Sequence, residues 1–328
     1  MRSDSLVGSI LGQALGDALG FIVEAQPHQV ARVYVDGWLR TGRAGEWSHP
    51  EFPFGQYSDD TQLARELLRS FHQAHRWEPA LFATLLADLF HGGHDVGAGR
   101  GTRSAAERLL TGVPWTESGT PAPYAGNGAA MRAGPLGLLL ADRKAMCRAA
   151  SEQARVTHLD PRCAAGAVAV ARAVALATAG LPIDSATFLD DLAGCAAIED
   201  SSFADAVRGL KQWVSLAPPQ AAEHVHHSGL DSAHAGRWQG ISGFVIPSVL
   251  WSLYAFLRSP DDYWETICTA IGVGGDTDTM AAIAGAISGA RLGPDVLPEE
   301  LVARLNDRGD WGSVELVELA DSCAVLRI

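Results

Sequence analysis

The chain has 328 residues, 47% of them hydrophobic and 19% charged. This is too apolar for a disordered regulator, too polar for a membrane channel, and long enough to bury a large core. With 38 acidic against 25 basic residues the formal net charge is -13. That opposes general binding to DNA or RNA, although a local cation or a row of backbone amides can still hold a small anion.

In chain order, the first helical pattern carries Gly8, Gly12, Gly16 and Gly20 every fourth residue, a ridge that suits close approach of another backbone. Asp4 and Asp17 interrupt its apolar run, so no secretory pattern is read there. Asp17 is expected to hydrogen-bond structurally, and Glu24 is expected to end this helix. Ala31 to Val35 is the one tempting β-like alternation, and 36–57 reads as irregular. Helices are expected at 61–74, 79–91, 102–111, 129–151, 161–180, 203–216, 262–271 and 279–291. The Gly-rich stretch Asp95–Thr102, the Pro-rich stretch 111–128 and the segment Gly240–Phe244 are candidate walls of a pocket.

Cys163 to Ile183 is the longest apolar run, but Arg172 near its middle argues for a buried core helix rather than a membrane span. His224, His226, His227 and His234 are irregularly spaced without partner cysteines, which suits solvated side chains better than zinc. The five cysteines form no CxxC pair, in keeping with a reducing cytoplasm. A small-residue ridge, Ala281, Gly285 and Gly289, closes the last helix. No linker divides the chain, so residues 1–328 are read as a single, mostly α-helical domain.

Two acidic words stand out: Tyr57-Ser58-Asp59-Asp60-Thr61 and Gly274-Gly275-Asp276-Thr277-Asp278-Thr279. Either alone reads well as a helix N-cap with turn glycines. Together they hold more carboxylates than caps require. If they converge, the charges need a cation among them, and neither word contains Lys or Arg. All-oxygen ligation selects a hard divalent ion, Mg²⁺ or Mn²⁺, and the ligand count suits two ions. Gly126-Asn127-Gly128-Ala129-Ala130-Met131-Arg132 is read as opening a helix, with its amides as a phosphate site. His158, in Thr157-His158-Leu159-Asp160-Pro161, suits either a core hydrogen bond or substrate orientation.

Taken in order, the words around Gly16–Glu24, Ser58–Thr61, Gly126–Arg132, Thr157-His158 and Gly275–Thr279 resemble the ADP-ribosylglycohydrolase family over about residues 5–291. The resemblance implies an all-α, compact orthogonal multi-helix bundle with two Mg²⁺ or Mn²⁺ ions. By position it implies Ser58, Asp59 and Asp60 on one side of the metals and Asp276, Asp278 and Thr279 on the other. Gly126, Asn127 and Gly128 would hold a diphosphate and His158 a ribose, while Glu24 falls where relatives carry a mobile, metal-covering glutamate. Ser58 departs from a commoner Thr but keeps the hydroxyl, and Tyr124 is the evident adenine-stacking ring of the 111–125 loop.

The expected function is metal-dependent hydrolysis of the glycosidic bond between ADP-ribose and a modified target. The target is an ADP-ribosylated protein, with arginine the favoured linkage, or a small-molecule ADP-ribose conjugate. Asp59, Asp60, Asp278 and Glu24 are the candidates for catalysis. Serine-linked, O-acetyl- or nucleic-acid-linked ADP-ribose are the alternatives, beside a nucleotide phosphohydrolase and a non-catalytic binder of ADP-ribose or a partner. A cytoplasmic monomer without membrane association is expected.

Overall fold

The computed structural model describes residues 3–180, 182–229 and 239–326. Its helices are α1 (Ser3–Phe21), α2 (His28–Tyr34), α3 (Asp59–Ala74), α4 (Pro79–His91), α5 (Arg100–Leu110), α6 (Leu136–Leu139), α7 (Arg143–Arg155) and α8 (Pro161–Ala177). There follow α9 (Ser185–Ala196), α10 (Ser201–Gly209), α11 (Pro218–His226), α12 (Val245–Arg258), α13 (Tyr263–Ile271), α14 (Thr277–Leu292), α15 (Glu299–Val302) and α16 (Ser313–Ala324). Among the described residues β pairing is limited to isolated bridges, so the fold is all-α, as expected.

The centre of the molecule is the antiparallel pair α1 and α14, and glycine is what allows it. A methyl group built on Gly8 would lie 2.3 Å from the Gly289 carbonyl oxygen, and one on Gly12 2.5 Å from that of Gly285. On Gly16 it would lie 2.2 Å from the Ala281 oxygen and on Gly20 2.4 Å from that of Thr277. The two small-residue ridges read from the sequence therefore face each other, backbone against backbone. This brings the C-terminus of α1 to the N-terminus of α14, where Thr277 Oγ1 donates to the Gly20 carbonyl at 2.8 Å. α3 and α16 pack beside α1, while α8, α12 and α13 pack on α14. One continuous apolar core runs through these elements, with Trp251, Tyr254 and Phe256 of α12 fully buried.

Aspartate starts many of the outer helices. Asp142, Asp160, Asp184, Asp200 and Asp262 each accept a backbone amide of the first turn, a cap worth about 1 kcal/mol. Asp142 also corrects one expectation: 129–151 is not one helix. Pro135 starts the short α6, and the Asp142 cap starts α7 afresh.

Other expectations change for local reasons. Ala31–Val35 is helical, not β-like: Ala31, Tyr34 and Val35 are buried while Arg32 and Val33 are exposed, the period of a helix. The 36–57 stretch is partly ordered by a π-helical turn, Val35–Leu39, and a 3-10 turn, Ala44–Glu46. α1 ends at Phe21, so Glu24 lies in the turn beyond it rather than on the helix. The apolar run at 163–183 is helical to Ala177 and buried, with Arg172 paired to Asp191 at 2.6 Å. His224 and His226 lie on α11, His224 stacked on Trp213 with centroids 5.3 Å apart, whereas His234 lies outside the described residues. No helix among the described residues is long and apolar enough to cross a membrane.

Candidate active site

The two acidic words meet where α1 meets α14. Ser58 caps α3: its hydroxyl accepts from the Asp60 amide at 3.2 Å and donates to Asp60 Oδ2 at 3.1 Å. With the cap supplied by Ser58, Asp59 and Asp60 are left to line the cleft. Asp276 sits at the N-cap of α14 yet makes no cap bond; its carboxylate instead accepts from Asn127 Nδ2. Asp276, Asp278 and Glu24 each bring an oxygen within 4.8 Å of the others. Thr279 Oγ1 donates to Asp60 Oδ2 at 3.2 Å, joining the second word to the first.

Electrostatically the cluster crowds buried carboxylates together. Burial, then the neighbouring charges of Asp276 and Asp17, pushes Glu24 up to about 7. Burial also holds Asp59, Asp60 and Asp278 well above the usual carboxylate range, and raises Asp276 against its bond from Asn127. Asp60 Oδ1 and Asp278 Oδ1 are buried without a hydrogen-bond partner. Among the described residues no Lys or Arg forms an ion pair with any member. Orphaned oxygens within an all-oxygen donor set fit hard divalent cations.

Residues deeper in the core fix the geometry. Asp17, expected to bond structurally, accepts from the Ser58 amide (2.9 Å), the Thr61 amide (3.0 Å) and the Thr61 hydroxyl (2.6 Å). Burial nevertheless raises it to about 6. Gln13, not singled out from the sequence, ties the start of α3 to the segment after Asn127 by donating to the carbonyls of Asp60 (2.9 Å) and Met131 (3.2 Å). On the other side Gly275 has φ 87°, and a methyl group there would lie 2.1 Å from the Ile241 oxygen. That contact lets the Asp276 amide reach Ile241 O at 2.9 Å.

Above the acidic floor opens a cleft of about 720 Å³, walled by Gly97–Thr102, Tyr124–Gly128, His158 and Ser242–Phe244. Gly126-Asn127-Gly128 does not open a long helix. It forms a single 3-10 turn, Asn127–Ala129, because the Asn127 amide bonds Gly243 O at 3.0 Å while its side chain bonds Asp276 and Ser248. Asn127 thus braces the start of α14. Tyr124 lines the wall, its hydroxyl accepting from the Gly101 amide at 3.2 Å and its ring 5.9 Å from that of His158.

His158 is set by a relay absent from the sequence reading. The Arg132 guanidinium is fully buried and donates to Gln153, to Gly128 O and, at 2.7 Å, to Thr157 Oγ1. Arginine can only donate, and His158 Nδ1, 2.8 Å away, is the acceptor in reach of the Thr157 hydroxyl proton. His158 therefore carries its proton on Nε2, which faces Gly101 and Gly126. Burial, then the Arg132 charge, lowers the ring to about 3, keeping it a neutral donor.

Comparison with known proteins gives the class of this all-helical body with its carboxylate floor beneath a cleft. The family model described as ADP-ribosylglycohydrolase matches residues 1–327, and the chain belongs to that family of enzymes. It is 30% identical to ADP-ribosylhydrolase ARH3 of Homo sapiens, over 74% of this chain and 72% of that protein. It is 26% identical to ADP-ribosylarginine hydrolase Tri1 of Pseudomonas putida, over 92% and 74% respectively. A solved structure titled "ADP-ribosylglycohydrolase-related protein complex" superposes with a TM-score of 0.72 at 25% identity, covering 100% of this chain and 99% of that one.

Proposed function

We propose that the chain hydrolyses the bond between the distal ribose of ADP-ribose and an arginine side chain of a modified protein, with two Mg²⁺ or Mn²⁺ ions. The observation that carries this reading is the meeting of Glu24, Asp276 and Asp278 with Asp60 under the cleft, with buried oxygens left over for cations. Ser58, Asp59, Asp60, Asp276, Asp278 and Thr279 would hold the ions, which when bound supply Lewis acidity at the ribose oxygens.

The chain's own groups do the rest. Cleavage passes through an oxocarbenium-like state, and the anionic floor favours its positive charge. Glu24 lies beside Asp276 and Asp278 and lines the cleft. It is the group assigned to take a proton from the attacking water and return it to the leaving nitrogen. His158 Nε2–H and the amides around Gly126 and Gly128 would grip ribose and diphosphate oxygens, with Tyr124 as a stacking face. The arginine linkage is supported by the name of the Pseudomonas putida relative.

The test is product analysis by mass spectrometry on ADP-ribosylated arginine, serine and nucleotide substrates. Free ADP-ribose should appear fastest from arginine. Faster release from serine or a nucleotide would move the linkage, inorganic phosphate would point to a phosphohydrolase, and no product from any substrate would leave a binding protein.

A further inference from the structure

α7 and α9 bring Cys147 and Cys195 to one cavity of about 770 Å³, separate from the acidic cleft. Cys147 is half-buried and Cys195 buried at the cavity wall. Arg143 Nε donates to Cys195 Sγ at 3.1 Å, and Cys147 is the neighbouring thiol on the same cavity. Arg143 also reaches Asp191 at 3.6 Å, which leaves its guanidinium shared between a carboxylate and a sulfur. Lys144, Arg148 and Arg155 add positive charge to the cavity against Glu152 and Glu199, so the local field opposes the chain's net negative charge.

The other three cysteines are in different surroundings. Cys163 donates to Gly126 O at 3.2 Å and Cys323 to Leu68 O at 3.3 Å, and Cys268 is buried beside Glu265; burial pushes all three thiols up. Cys195 is instead drawn down, first by its neighbour Cys147, whose own thiol is pushed up, and then by the Arg143 guanidinium on its sulfur, against the effect of burial. A thiolate held by a cation beside a second thiol is the arrangement in which an oxidised sulfur finds a resolving partner.

We propose that Cys147 and Cys195 form a peroxide-oxidisable pair, Cys195 attacking and Cys147 resolving. The Cys195 thiolate attacks one oxygen of hydrogen peroxide and the O–O bond breaks. The sulfur is oxidised to sulfenic acid, and the departing hydroxide takes a proton from solvent to become water. Cys147 Sγ then attacks the Cys195 sulfur: the S–S bond forms, the S–O bond breaks, and the oxygen leaves as water with the Cys147 thiol proton. In sum two thiols and one peroxide give a disulfide and two waters, and a small-molecule or protein dithiol reverses it.

The experiment treats the full chain with hydrogen peroxide, counts free thiols and maps peptides without reduction. Titratable thiols should fall from five to three, with Cys147 and Cys195 peptides joined. Cys147→Ser should leave a sulfenic acid on Cys195 that dimedone traps, and Arg143→Gln should slow the reaction about tenfold by raising the thiol. First oxidation at Cys163, Cys268 or Cys323, or Cys195→Ser reacting as fast as the parent, would overturn the assignment. Should a variant fail to fold, the peptide map of the parent chain decides the matter alone.

Discussion

Arg132 cannot take the Thr157 hydroxyl proton and His158 Nδ1 is the acceptor in reach of it, which turns Nε2–H to the cleft. Thr157→Val frees the ring to move its proton to Nδ1. The ¹⁵N spectrum of His158 should then report the other tautomer, and ADP-ribose affinity should fall about tenfold, roughly 1.4 kcal/mol. Thr157→Ser should restore both, and an unchanged spectrum in the valine variant would remove the relay. Glu24→Gln should lower kcat about 100-fold or more while ADP-ribose binding changes little; the opposite split would make Glu24 a binding group. The surplus of oxygens in the two acidic words was legible, because a helix start needs one cap; that Ser58 supplies that cap was not. Gln13 and Arg132 were not legible as braces, since the carbonyls and hydroxyl they reach lie far along the chain.

At the scale of elements the glycine ridges govern the site. A valine at Gly12 has no room, its Cβ falling 2.5 Å from a backbone oxygen that belongs to a helix and cannot swing away. Gly12→Val is expected to destabilise the fold by about 3 kcal/mol or more and, in whatever fraction folds, to part Glu24 from Asp276 and weaken divalent-ion binding. Gly37→Ala, with nothing within 4 Å, is the control, expected within about 0.5 kcal/mol by thermal melting. Equal effects at the two positions would contradict the close approach of α1 and α14. The ridges were visible as a four-residue period; the turn that carries Glu24 past the end of α1 was not, because helix ends depend on what the next segment contacts.

For the whole molecule the crowded carboxylates link folding to pH. Glu24 rises from 4.5 to about 7 and Asp17 from 3.8 to about 6 on folding, so between roughly pH 4 and 7 the folded state binds more protons than the unfolded. Stability of the metal-free chain should therefore fall as pH rises through that window. Mn²⁺ should restore it, with a melting shift that grows with pH because ligation needs the deprotonated groups. A metal-free melting temperature that rises from pH 5 to 7.5 would contradict the sign. Asp276→Ala should abolish most of the Mn²⁺ shift while leaving the helical circular dichroism intact, and EDTA should silence hydrolysis until Mg²⁺ or Mn²⁺ is returned.

Periodicity, caps and turn glycines act over a few residues, so the sequence by itself determined the helical class, the two small-residue ridges, and which acidic words had oxygens to spare. Convergence of those words is a long-range event: Thr279 and Asp60 meet across 219 positions, and only the packing of α1 on α14 places them together. Tertiary structure likewise decided that Asn127 braces α14 and that His158 donates through Nε2, because a hydrogen bond is assigned by where its partner lies in space, and no local pattern encodes that.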